Sequence, residues 1–271
     1  RSFVSLNLSM TLISSGGFLP INNLESILNS QTKLIIFSLL MLVSFFSLFF
    51  LYNLLVFKKR GVKFIQEDIY LIAYLITLVF VFFLLVDKDI NFSIIFLSIS
   101  SSVSNIGVSL KDTPQYLSFI FLILIIIGGS FFSTSSGLRF LKLVSLFNFS
   151  LNEIISNAKP KNVFINKLLF SGKIMEKSDF YKYFLSILIF IISLIFLSTV
   201  ISISGLSFEQ SFKLSVLTLM NTVNSHMTEL NILDFEQMGN FVKYFLIFFM
   251  IIGRVELLSI LIIFKKFFFK N

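Results

Sequence analysis

The chain has 271 residues, 56% of them hydrophobic and only 13% charged, with a mean hydropathy of +0.95. A soluble domain of this length has too little interior to hide so much apolar surface, so the composition reads as an integral membrane protein. The formal charge of +8 is distributed in short clusters between apolar runs, which argues against nucleic acid as a partner, and with no cysteine there is neither disulfide nor thiol chemistry.

From the N-terminus, residues 3–12 form an apolar stretch too short to cross a bilayer, followed by the small, polar stretch 13–18. Residues 34–57 are a charge-free run long enough to span a hydrocarbon core of roughly 30 Å as a helix. Lys58, Lys59, Arg60 and Lys63 follow it. A second span is predicted over 69–86, then the sparse loop Asp87-Lys88-Asp89, then a second short stretch, 91–102, running into the polar 103–109. The third span, 114–138, is interrupted from Gly128 onward by glycines and hydroxyl residues, and the basic residues Arg139, Lys142, Lys159, Lys161, Lys167, Lys173 and Lys177 come after it. A fourth span covers 183–208, a third short stretch 207–221, and a third polar loop 222–227. The fifth span, 241–264, is apolar except for Arg254 and Glu256, and Lys265, Lys266 and Lys270 close the chain.

Basic clusters after the first, third and fifth spans give a positive-inside topology with a cytoplasmic C-terminus. The clusters act most simply as topology anchors, with phosphate or lipid binding as the lesser reading. The short stretches then all enter from the outer side, as re-entrant half-helices do. Span, half-helix, polar loop and span recur completely at 69–143 and 183–266, and without a first span at 1–57. Non-helical backbone at membrane depth is tolerated only where it is buried in protein or lines a watery cavity, so several such loops on one axis make a pore lining. Rings of backbone carbonyls replace the water shell of an alkali cation. Turning them inward calls for left-handed backbone, expected here at Gly16 and Gly107. No Walker motif and no ladder of ionisable residues along the spans suggests nucleotide binding or proton pumping. His226, alone without Cys or carboxylate companions, is a solvated mouth residue rather than a metal site. The outer acidic residues Asp87, Asp89, Glu209, Glu229, Asp234 and Glu236 suit either a cation-concentrating mouth or ordinary solvated loops.

Arg254 lies near mid-membrane, where an unpaired charge costs roughly 3 kcal/mol or more. Glu256, two residues on, points about 200° away around the helix and is a poor partner. Arg254 therefore faces the pore or the interrupted third span, as an electrostatic barrier to cations, or else binds carbonyls for packing.

The stretches SMTLISSGGF (9–18), SSVSNIGVS (101–109), GGSFFSTSSGLRFLK (128–142), IIGRVELLSIL (251–261) and the segment 159–177 together resemble the Trk/Ktr/HKT superfamily of potassium transporters, over essentially the whole chain. The resemblance implies an all-α integral membrane fold of span, re-entrant half-helix, filter loop and span units around a central ion pore. It divides the chain into the end of a second pore repeat (1–57), a third repeat (58–143), a cytoplasmic linker (144–181) and a fourth repeat (182–271). Because such transporters have four repeats, and because the chain opens at Arg1 without a signal peptide, the chain is expected to be N-terminally incomplete.

The resemblance further implies a filter of Ser14, Ser15, Gly16 and Gly17, then Asn105, Ile106, Gly107 and Val108, then Thr222, Val223, Asn224 and Ser225. Asn224 stands where the family usually has glycine. The gate implied is the intramembrane loop 128–137, with Gly128, Gly129, Ser130, Ser133, Thr134 and Gly137, together with Arg254. A Gly/Ser kink for close helix packing is the plainer reading of that loop. Potassium is the substrate, no cofactor is bound by the chain, and no residue performs covalent chemistry. Implied partners are lipid, a second copy of the chain and a cytosolic nucleotide-binding regulatory subunit docking on 139–182, in a bacterial cytoplasmic membrane. Coupling to protons or sodium and channel-like flux both stay open. The competing readings are a membrane subunit of a respiratory complex, which predicts charges in several spans, and the ion-conducting subunit of a potassium-pumping ATPase.

Overall fold

The computed structural model describes residues 2–19, 24–56, 65–86, 90–157, 177–223, 226–230, 235 and 238–255. Asn224, Ser225, Glu256 and the rest of the fifth span, the basic runs 58–63 and 265–270, the segment 158–176, and Asp87, Asp89, Asp234 and Glu236 lie outside the described residues. The fold is helical, and it repeats. A first unit holds α1 (Ser2–Ser14), α2 (Gln31–Leu42) and α3 (Leu48–Val56). A second holds α4 (Ile65–Leu85), α5 (Phe92–Val103), α6 (Ser118–Ile126) and α7 (Phe140–Asn157). A third holds α8 (Lys177–Ser202), α9 (Phe208–Met220) and α10 (Asn240–Val255).

The half-helices α5 and α9 are the best-buried elements although they are rich in hydroxyl residues. Several of the buried hydroxyls bond back to a carbonyl of their own helix, which removes the cost of burying them. Ser98 Oγ donates to Ile94 O at 3.0 Å and Ser102 Oγ to Ser98 O at 2.7 Å in α5. Ser215 Oγ donates to Ser211 O at 2.6 Å and Thr218 Oγ1 to Leu214 O at 2.7 Å in α9. Ser207 opens α9 as an N-cap, accepting from Gln210 N–H at 3.3 Å, with Glu209 in the favourable first turn.

Around these the spans turn apolar faces outward. Only 22% of the apolar stretch of α4 is buried, and Ile69, Ile76, Phe80, Phe83 and Leu84 are exposed along it. A core helix of a soluble protein is not left so bare; a helix against lipid is. One apolar core joins α4, α5, α6, α8, α9 and α10, and a smaller one joins α1, α2 and α5 with Ile106, Val108 and Leu110.

Several boundaries differ from the sequence-based expectation. The run 34–57 is not one helix: it breaks at 43–47 between α2 and α3. The fourth span ends at Ser202, where Gly205 takes a left-handed turn, φ +89°, ahead of α9. The linker expected from 144 begins as helix, because α7 continues to Asn157 on an apolar face of Leu141 and Val144, both packed on the core.

Candidate functional site

Each half-helix ends in the same way. A residue one or two places past the last helical one is left-handed: Ser15 at φ 47°, Asn105 at φ 59°, Asn221 at φ 51°. The next residue's N–H then bonds five residues back: Gly16 to Thr11 O at 3.2 Å, Ile106 to Ser101 O at 3.1 Å, Thr222 to Leu217 O at 3.0 Å. This is a Schellman end, and it puts the three loops in a common register. Counted from it, Gly17, Gly107 and Val223 are equivalent.

That register shifts one expectation. Gly107 is left-handed at φ +79°, as expected, but in the first loop the left-handed glycine is Gly17, at φ +72°, not Gly16. Ser15 already occupies the left-handed cap position, and the Gly16 N–H closes the cap. Asn224 lies outside the described residues, and Val223 holds the place of the two glycines.

The three loops meet. A Cβ on Gly17 would collide with Ile106 O and lie 2.5 Å from Val223 Cγ2, and one on Gly107 would collide with Val223 O and lie 2.7 Å from Val223 N. Residues from all three units are thus packed backbone to backbone at one point. Beside it, the side-chain amide of Asn105 and Thr222 Oγ1 are buried without a hydrogen-bond partner among the described residues. The far limb of the third loop is tied back: Met227 N donates to Ser109 Oγ at 3.3 Å, and Lys213 pairs with Glu209 at 2.7 Å and Glu229 at 2.8 Å. Ser14 and Val108 flank this point in their own loops.

Next to it, α6 opens into the loop 127–139, which leads on to α7. Its ends are held by a short parallel pair, β1 (Ile127–Gly128) with β2 (Leu138–Arg139). Gly128 has no room for a Cβ against Ser136 O, nor Gly129 against Phe45 O. The loop is knitted internally by Arg139, whose Nη1 donates to Ser130 O at 3.1 Å, Ser133 O at 3.3 Å, Ser133 Oγ at 3.1 Å and Ser135 O at 3.2 Å. Gly129 N–H donates to Ser135 Oγ at 3.0 Å. The freed Gly129 N–H and the carbonyls of Ser130, Ser133 and Ser135 are thus satisfied by protein, as non-helical backbone within a membrane requires.

The loop also faces the ends of the half-helices α1 and α5. Ser15 Oγ donates to Thr134 O at 2.9 Å, and a Cβ on Gly137 would lie 3.1 Å from Asn105 Nδ2. Arg254 bridges the same gap from α10. Its Nη2 donates to Ser14 O at 2.9 Å, and its Nη1 to Ser136 Oγ at 3.0 Å and Ser15 Oγ at 3.4 Å. It borders an open groove of about 1150 Å³ between the first loop, α9 and α10.

Sequence reasoning missed several members of this site. Arg139 and Lys142 read as surface anchors, but Arg139 is half-buried in the loop and Lys142 is 7% exposed. Glu67 and Asp68 fell just outside the second span as read, yet they are buried at the start of α4 and reach the two breaks. Their acidity beside a charge-free run was the available signal.

No family model matches the sequence, and no curated protein matches it. Among solved structures the chain is similar to the potassium transporter TrkH from Vibrio parahaemolyticus, with a TM-score of 0.77 at 19% identity, over 97% of this chain and 58% of that one. The chain thus spans somewhat more than half the length of that protein. At this identity the likeness shows a shared fold, that of an all-helical membrane transporter.

Proposed function

We propose that the chain forms part of the ion pathway of a potassium uptake protein, with the loops ending α1, α5 and α9 as its filter and the loop 128–137 with Arg254 as its gate. The observation that carries this reading is the meeting of three identically capped half-helix ends at Gly17, Gly107 and Val223. Half-helices aimed at one point, each followed by backbone without a helical partner, supply the carbonyl oxygens that a dehydrated cation requires. The shared fold with a potassium transporter supports the choice of ion. Ser14 to Gly17, Asn105 to Val108 and Thr222 to Ser225 line the path; Gly128, Gly129, Ser130, Ser133, Thr134, Gly137 and Arg254 control it. The cytoplasmic membrane of a bacterium, a second copy of the chain and a cytosolic nucleotide-binding regulator complete the proposal, with the basic residues of 139–182 as the docking surface.

The test is rubidium uptake by cells that lack their own potassium uptake and express the chain from its complete reading frame. Uptake above that of cells carrying empty vector, with preference over sodium, is expected. Uptake equal to the empty-vector cells rejects the reading.

A further inference from the structure

Two helix breaks in this fold touch each other, and a pair of buried carboxyl groups touches both. The break 43–47 and the loop 127–139 are joined by backbone bonds: Ser130 N–H to Phe45 O at 3.1 Å, Ser135 N–H to Ser44 O at 3.1 Å, and Leu48 N–H to Phe132 O at 3.2 Å. Glu67 and Asp68, 1% and 0% exposed, lie side by side in the first turn of α4. Neighbouring helical residues point about 100° apart, so the two reach different partners. Glu67 Oε1 accepts from Phe131 N–H in the loop at 3.1 Å. Asp68 accepts from Ser47 N–H at 2.9 Å and from Ser47 Oγ–H at 2.6 Å, and Ser47 Oγ in turn accepts from Phe50 N–H at 3.0 Å to open α3.

We infer that Glu67 and Asp68 are positioning residues: a latch on α4 that binds the two breaks into one unit and holds the loop 128–137 in its closed, knitted form. The inference rests on the reading of that loop as a gate. Buried carboxyl groups at the edge of an apolar span are costly and are retained where they do something packing cannot. Here a hydrophobic pair of the same size would leave the Phe131 and Ser47 N–H groups without acceptors, and the loop would lose its tie to α4.

The chain lacks cysteine, which makes thiol accessibility a clean readout. Ser130 Oγ is buried and makes no hydrogen bond among the described residues, so Ser130→Cys places a thiol in the loop without removing a bond. Ser211→Cys, equally buried and unbonded in α9, is the reference. The measurement is the rate of modification by a charged thiol reagent in membrane vesicles carrying the full chain. Glu67→Ala or Asp68→Ala is expected to speed modification at Ser130→Cys about tenfold, the effect of losing a buried hydrogen bond on a local opening. Glu67→Gln keeps an acceptor oxygen and should stay within about twofold of the parent, while Ser211→Cys does not change. An unchanged rate at Ser130→Cys in both alanine variants overturns the latch. Equal acceleration at Ser211→Cys overturns it too, because that marks general loosening. Since the readout is loop exposure and not ion flux, absence of rubidium uptake would sink the transport reading while leaving this result standing.

Discussion

Gly107 and Gly205 both hold left-handed backbone, at φ +79° and +89°, yet their surroundings differ completely. Nothing lies within 4 Å of a Cβ on Gly205, whereas one on Gly107 would enter the backbone of Val223. Alanine in the left-handed region costs about 1–2 kcal/mol at either position, and overpacking adds about 1–3 kcal/mol at Gly107 alone. We therefore predict that Gly205→Ala lowers thermal stability slightly and leaves rubidium uptake intact, while Gly107→Ala abolishes uptake by pushing the second and third loops apart. Equal uptake by the two variants would remove Gly107 from the ion path. The glycine itself was legible in the sequence, because a half-length apolar stretch ended there. The register of its counterparts was not: whether Gly16 or Gly17 turns left-handed depends on Ser15 capping α1, and a serine at φ 47° is not a choice that propensity favours.

Helices α9 and α10 approach closely through Gly253, where a Cβ would collide with Leu219 O, and Asn221 Nδ2 fixes the contact by donating to Met250 O at 2.8 Å. Gly253→Ala is expected to cost about 1–3 kcal/mol of stability through overpacking and to move Arg254, its neighbour, away from Ser14 and Ser136. Purified protein should melt earlier, and uptake should change in the same variant. A melting temperature equal to the parent's would mean that the contact yields freely. Elements of this kind were visible in the sequence where polarity interrupts an apolar run, as at Gly128–Gly137. They were invisible at 43–47, since Val43, Ser44, Phe45, Phe46 and Ser47 include neither glycine nor proline. That break exists because its partners are distant: Asp68 caps Ser47, and the loop of the second unit bonds the carbonyls of Ser44 and Phe45. Only tertiary structure brings those groups together.

At the scale of the whole molecule, Arg254 joins all three units. Arg254, from the third, reaches Ser14 and Ser15 of the first and Ser136 of the second. The sequence located the charge and the interrupted helix separately; their meeting follows from the way the repeats fold against one another, which no local pattern encodes. The arrangement gives Arg254 two effects that substitution can separate. On the proposed reading its charge would oppose a cation leaving the loops that end α1, α5 and α9, while its hydrogen bonds tie the loop 128–137 to the first of them. Arg254→Lys keeps the charge but loses the forked donors, while Arg254→Gln loses the charge and shortens the reach. If charge dominates, Arg254→Gln raises rubidium uptake about tenfold, equivalent to roughly 1.4 kcal/mol off the barrier, and Arg254→Lys stays near the parent. If the hydrogen bonds dominate, both variants raise uptake, and both also speed thiol modification at Ser130→Cys. Uptake unchanged in Arg254→Gln, with normal amounts of protein in the membrane, would leave Arg254 only a packing role, and control of the pathway would then fall to the loop and the carboxyl groups on α4 that hold it.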